Sequence, residues 1–269
     1  MVFQVAKKLA GHAQGTAAWA TNIGNEYGQV LMSVLTASEG LGLGTMIEGL
    51  VDRYATAQVP PPDILYVDRG CCENSSLKRS FALWPDLIFR LDIWHFMRRF
   101  ASCVTTEAHP LYSIFMNRLA KCIFEWNYDD ISDLKRAKRA ELISEGIASP
   151  SDETVQLRVT KKELALHCRR STRGREETSR LLHELLTSFT GDDGKDTLGT
   201  PLFDEERVWD EWRSQRKHIS CIQDPDGYQL YSQTGTLVKG GVTLPTYRCA
   251  RGSVSLESFH LHLNRFIPG

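Results

Sequence analysis

Two short apolar runs, each ending in an aspartate, organise the hydrophobic pattern of the chain: Asp63-Ile64-Leu65-Tyr66-Val67-Asp68 and Leu87-Ile88-Phe89-Arg90-Leu91-Asp92. From Ile64 to Val67 there is no alternation, as expected of a strand buried on both faces. Residues 76–83 read as a helix closed by Trp84-Pro85. This strand–helix–strand unit has about the minimum crossover length, so its strands should be parallel. Both aspartates should then lie at the carboxyl ends of neighbouring strands, where open α/β sheets place their sites. Two carboxylates on one sheet edge repel each other, and a divalent cation between them is the usual remedy.

Upstream, Val2, Val5 and the small-residue run 16–21 have the character of edge strands, and 29–36 that of a strong strand. The Asn- and Gly-containing segment 22–26 reads as the turn of an antiparallel hairpin over 16–36. A helix over 46–54 follows, stopped by Pro60-Pro61-Pro62. A hairpin feeding a parallel β–α–β unit makes a mixed α/β sheet with helices on its faces.

From 93 to about 219 the periodicity is helical. Leu111, Ile114, Phe115, Leu119, Cys122, Ile123 and Trp126 predict a helix over 109–126. Asp129 or Asp130 is the expected cap of the next helix, with Ile131 and Leu134 inward and Lys135, Arg136, Lys138 and Arg139 outward. Thr160 and Glu163 form a capping box, and further helices are expected over 176–189 and 205–219. Residues 228–248 turn β-like around Gly240-Gly241. Ser253 or Ser255 opens a last helix, with Leu256, Phe259, Leu263 and Phe266 on its buried side. The chain thus divides into a core (1–104), a mostly helical insertion with a small hairpin (105–250) and a C-terminal core helix (251–269).

Composition narrows the class without choosing a function. The 269 residues are 42% hydrophobic and 24% charged, ordinary for a globular protein, and their net charge of −1 gives no global signal for nucleic acid. Any basic surface must therefore be local. Arg98, Arg99, Arg169, Arg170 and Arg173 are the candidates for contacts to DNA phosphates. No apolar run reaches the roughly 20 residues of a membrane span. Seven cysteines, an odd number without a CxxC spacing, point to reduced thiols in nucleus or cytoplasm and read first as small buried residues. Cys71-Cys72 is the pair to keep in view because it follows Asp68 so closely. The spacing of Cys249, His260 and His262 is poor for zinc.

A buried strand ending in aspartate, then Asp92-x-x-His95, a long helical insertion and a helix bearing Glu257 resemble the cut-and-paste DNA transposases with an RNase H-like catalytic core, in their Mutator-like and hAT-like branches. Tyr66-Val67-Asp68-Arg69, Arg90 to Phe100 and Leu256-Glu257-Ser258-Phe259-His260 carry the likeness. The resemblance implies an RNase H-like mixed sheet interrupted by the insertion. It implies Asp68 and Glu257 as catalytic, metal-holding carboxylates, Asp92 and His95 as supporting residues, Mg²⁺ (or Mn²⁺) as cofactor and DNA as partner, with a possible homo-oligomer. Neither a membrane partner nor a small-molecule cofactor is implied.

One departure bears on activity. The family places its first catalytic aspartate in the opening strand, just before a Lys-Lys-Leu-Ala-Gly run. Here that run is Lys7 to Gly11, and no Asp or Glu occurs before Glu26. The expectation is a transposase core cut at the front, with metal-dependent phosphodiester chemistry impaired. Two other readings stand beside it: a non-catalytic module binding nucleic acid or protein through the insertion, and a thiol enzyme pairing Cys71 or Cys72 with His95. The bland roles are equally definite: a turn for Asp68, a helix cap for Asp92, a buried ring for His95 and a favourable helix-dipole position for Glu257.

Overall fold

The structure is a computed structural model that describes residues 2–8, 19–36, 42–72, 75–252 and, in the last segment, 256, 258, 259 and 262. Its centre is a five-stranded mixed sheet. β1 (Val2–Lys8), β2 (Trp19–Gly24) and β3 (Val30–Thr36) are antiparallel, and β4 (Ile64–Val67) and β5 (Ile88–Leu91) run parallel to β1. The order across the sheet is β3-β2-β1-β4-β5.

The expected hairpin is present, but its turn is at 25–28 rather than 22–26, because residues 22–24 continue strand β2. Asn25 drives it: its side-chain Oδ1 accepts from the Tyr27 and Gln29 amides, and Gly28 takes φ +83°. β1 is not the edge strand its composition suggests; it is bonded to β2 on one side and β4 on the other.

α1 (Leu43–Thr56) turns Met46, Ile47 and Leu50 inward, and α2 (Ser76–Ser80) is a single short helix capped by Ser75. The aromatic rings of Phe81, Trp84 and Phe89 meet edge-on or tilted between α2 and β5. β4 is buried along its whole length, as the absence of alternation requires. The parallel register Val67↔Leu91 completes the β–α–β unit.

α3 (Ile93–Ala101) follows β5 directly and buries Ile93, Phe96 and Phe100. α4 (Tyr112–Ile123) is shorter than its periodicity predicts at both ends. Its last apolar residues leave the helix as β6 (Phe124–Trp126) and pair with β7 (Arg170–Thr172). Between them come α5 (Tyr128–Ser144), α6 (Asp152–Arg158) and α7 (Lys161–His167). The Thr160–Glu163 capping box is formed in both directions. The cap of α5 is Asn127, while Asp130 is drawn away by Arg169.

α8 (Arg175–Thr190) and α9 (Glu205–Gln215) pack Leu182, Leu186, Val208 and Trp212 into the same core as Ile23, Leu65 and Val67 of the sheet. α9 tightens into a 3₁₀ helix at Arg216–Ile222 rather than running on as α-helix. β8 (Tyr231–Lys239) and β9 (Val242–Cys249) then form the predicted hairpin. Gly240 and Gly241 both take positive φ, at +54° and +76°, as a tight two-residue hairpin turn requires. A Cβ on Gly240 would come within 2.7 Å of α5 backbone atoms, so glycine is needed there for space as well.

Candidate functional site at the carboxyl ends of β4 and β5

Asp68 and Asp92 directly follow Val67 and Leu91, which are partners in the ladder, so the two residues leave adjacent strands side by side. The Asp92 amide still bonds the Val67 carbonyl at 2.8 Å. The backbone thus brings the two predicted aspartates to one sheet edge. On the other side of β4, Phe3 pairs with Val67, which sets Gln4 as the next residue beside Asp68. The opening strand therefore offers an amide-bearing residue at the register position nearest Asp68, and no carboxylate along its length.

Asp92 is almost wholly buried, at 1% exposure. Its Oδ1 caps α3, accepting from the His95 amide at 3.0 Å and lying 3.2 Å from His95 Nδ1. Capping and orientation of the imidazole are thus one arrangement, because the i, i+3 spacing puts both the N3 amide and its own ring over the cap. Asp92 Oδ2 is buried with no hydrogen-bond partner, and a Cβ built on Gly252 would lie 3.5 Å from it.

Asp68 is partly exposed. Arg99 fixes the loop that carries it, donating to the Asp68 carbonyl at 2.7 Å and to Gln215 Oε1 at 2.7 Å. Arg99 thereby ties the sheet edge to α9.

Glu257 lies outside the described residues, but its neighbour Leu256 does not. Leu256 is fully buried in a cluster with Ile64 and Tyr66 of β4 and Leu230. Its Cδ2 would stand 2.9 Å from a Cβ at Gly24, so the packing against β2 requires glycine. Ile64, Tyr66 and Asp68 alternate along one face of β4. The segment after β9 therefore returns to the sheet, past Asp92 at Gly252 and against β4 at Leu256.

The chemistry of the edge is that of hard oxygen donors, the Asp68 carboxylate and the buried, unpartnered Asp92 Oδ2.

The basic residues divide into two groups. Arg98 and Arg99 sit on α3, Arg98 exposed and paired with Glu107 at 3.1 Å. Arg169, Arg170 and Arg173 lie on or beside β7. Arg169 forms a two-pronged pair with Asp130, at 2.8 and 2.9 Å. Arg173 donates to the Lys121 carbonyl and to Glu125. The Arg170 guanidinium lies 3.9 Å above the Phe124 ring and faces a cleft of about 750 Å³. Arg90, Arg169, Arg175 and Arg251 line the same cleft, with Asp224 and Asp226 as its acids. Arg251 is bound at both ends of Asp224, at 2.6 and 2.8 Å, and also donates to the Arg170 carbonyl. Burial works against its charge, but the Asp224 partnership outweighs that and raises the guanidinium above its ordinary value.

Sequence reading missed a second cluster. The ring beside Cys71 and Cys72 is that of His218, at 3.4 and 3.5 Å from the two sulfurs, with Cys221 joining them. The Cys71 and Cys72 thiols are both pushed up, Cys71 first by its hydrogen bond to Cys221 and Cys72 first by burial. This is the reverse of what a thiolate nucleophile at either position needs. The signal that could have found the cluster is His218-x-x-Cys221 read together with Cys71-Cys72.

Compared with family models, with curated proteins and with solved structures, the chain matches none. Among the described residues no helix is long and apolar enough to cross a membrane.

Proposed function

We propose that the chain is a transposase-like catalytic core of RNase H-like type, acting on DNA phosphodiesters with its chemistry impaired. The observation that carries this reading is the return of the last segment. Leu256 packs on Ile64 and Tyr66, so at that residue the last segment is back against the strand that ends in Asp68. A helical excursion of more than a hundred residues lies between the two. The mixed sheet supports the reading as well, with the opening strand between the antiparallel hairpin and the parallel β4–β5 pair.

In this reading Asp68 and Glu257 would hold the divalent ion, with Asp92 and His95 in support, and the ion when bound would supply an activated water and charge stabilisation at phosphate. The residues of the chain do the positioning. Asp92 orients His95, Arg99 holds the Asp68 loop, and Arg251 with Asp224 fixes the point from which the last segment departs. Impairment follows from the opening strand, which carries no carboxylate to serve as the family's first catalytic aspartate.

The arginine-lined cleft favours a second reading, nucleic-acid binding without cleavage. One experiment separates the two. Nicking of supercoiled DNA is measured with Mn²⁺, for the protein and for Asp68→Asn, together with DNA binding across a salt series. The core reading expects slow, Mn²⁺-dependent nicking that Asp68→Asn abolishes, with binding unchanged. Binding that weakens steeply with salt, with no nicking by either protein, would replace it with the binding module.

A further inference from the structure

We infer that Cys71, Cys72, His218 and Cys221 form a structural zinc site that clips the loop after Asp68 to the 3₁₀ helix of the insertion. The ligand atoms of all four lie within 4.8 Å of one another. The Cys71 and Cys72 sulfurs lie 3.4 and 3.5 Å from His218 Nδ1. With Zn–S near 2.3 Å and Zn–N near 2.0–2.1 Å, a tetrahedron has S···N edges of about 3.6 Å. The Cys71–His218 and Cys72–His218 pairs are already close to that length. Three thiols and one imidazole are also a donor set that selects Zn²⁺ over Mg²⁺ or Mn²⁺, which need hard oxygen.

Local structure explains how the four meet. His218 and Cys221 are three residues apart on a 3₁₀ helix, whose three-residue turn stacks i over i+3. Cys71 and Cys72 follow Asp68 in the loop that leads to α2. Cys71 is buried, Cys72 exposed, and His218 and Cys221 half-buried, so the ion would be held by protein on one side and reached from the other. Cys71, Cys72 and Cys221 line a cleft of about 710 Å³, which gives the ion an entry.

Four protein ligands leave no open position, so the site is structural. It joins positions 147 residues apart and runs alongside the Arg99 link from Asp68 to Gln215. Binding displaces the three thiol protons to solvent and leaves Zn²⁺ with three thiolates.

The test uses the full chain expressed in zinc-supplemented medium and purified without chelator. Metal content is measured by mass spectrometry, and the absorption spectrum is recorded after Co²⁺ exchange. One zinc per chain is expected, with sulfur-to-cobalt charge-transfer bands and tetrahedral d–d bands. Cys221→Ser and His218→Ala should lose the metal, whereas His218→Cys should keep it as a four-sulfur site with a shifted cobalt spectrum. Cys249→Ser and Asp68→Asn, which leave the four ligands intact, should retain one zinc. If His218→Ala fails to fold, thiol titration of the unaltered chain decides: chelator should raise the number of fast-reacting cysteines by three. Zinc-free protein from that medium, zinc retained in a Cys71→Ser/Cys221→Ser double variant, or no chelator effect on thiol reactivity would overturn the site.

Discussion

The β4 strand and the α5–α7–β8 corner of the insertion are both buried, by different means. β4 sinks Ile64, Leu65, Tyr66 and Val67 among apolar side chains from α1, α3 and the returning segment. The corner instead gathers two lysines and two glutamates. Lys138 Nζ lies 2.7 Å from Glu141 and 2.6 Å from Glu163, and Lys239 reaches the same two carboxylates. Hydrophobic burial is non-directional, whereas a partly buried charge cluster is favourable only with every partner in place. The sheet region should therefore respond to lost volume, and the insertion to lost partners and to pH.

Leu65→Ala should give the largest effect. Leu65 is fully buried at the centre of β4, and removing its branched side chain leaves a cavity between sheet and helices. A loss of about 2–5 kcal/mol is expected from urea melts, seen as a lower midpoint with the slope unchanged. The loss should be the same at pH 7 and pH 5, because no titrating group is involved. A strong pH dependence of this difference would erase the contrast between the two regions.

Glu163 comes next. Burial pushes its carboxyl up, but hydrogen bonds from Lys138, Lys239 and the Thr160 backbone outweigh burial and bring it down to about 2. A carboxylate depressed in the folded state stabilises above its unfolded value near 4.5, and that contribution fades as pH falls toward 2. Glu163→Gln should cost about 1–3 kcal/mol at pH 7, between the values for exposed and fully buried pairs. Its deficit should shrink steadily below pH 4.5. A deficit that stays constant down to pH 2.5 would mean the side chain acts only through the capping box.

These two regions also differ in what a linear reading can find. β4, its aspartate and the Asp92 cap were legible because each depends on neighbours within a few positions: an unbroken apolar run, or a cap with its i+3 amide. Lys138 was read as outward-facing, yet it is 93% buried in the sense that only 7% of it is exposed. The reason is Lys239 and Glu163, which come from β8 and α7 and leave no mark on the periodicity of α5. Asp130 was read as a cap for the same reason, since its partner Arg169 is 39 residues away. The central place of β1 was hidden because a strand carrying Gln4, Lys7 and Lys8 among its seven residues has an edge-like composition, while pairing on both sides is a property of the sheet. His218 meets Cys71 only through the turn from α9 into the 3₁₀ helix, which helical periodicity does not foretell.

The smallest effect sharpens the comparison most cleanly. Asn127 caps α5 through its side-chain Oδ1, which accepts from the Asp130 amide at 3.0 Å. Asn127→Ala should cost about 1 kcal/mol, the usual worth of an N-cap. The cap sits beside the Asp130–Arg169 pair, and Arg169 in turn lies 4.9 Å from the Tyr247 ring of β9. If the insertion is held by mutually dependent partners, Asn127→Ala and Arg169→Ala should not add: a freed α5 terminus lets Asp130 drift, and the second substitution then removes less. A double-mutant cycle read by urea melts should show coupling of about 0.5 kcal/mol or more. The matching cycle of Asn127→Ala with Leu65→Ala, which share no partner, should be additive. Equal coupling in both cycles would mean that sheet and insertion melt through one undivided network, and the distinction drawn from their chemistry would fail.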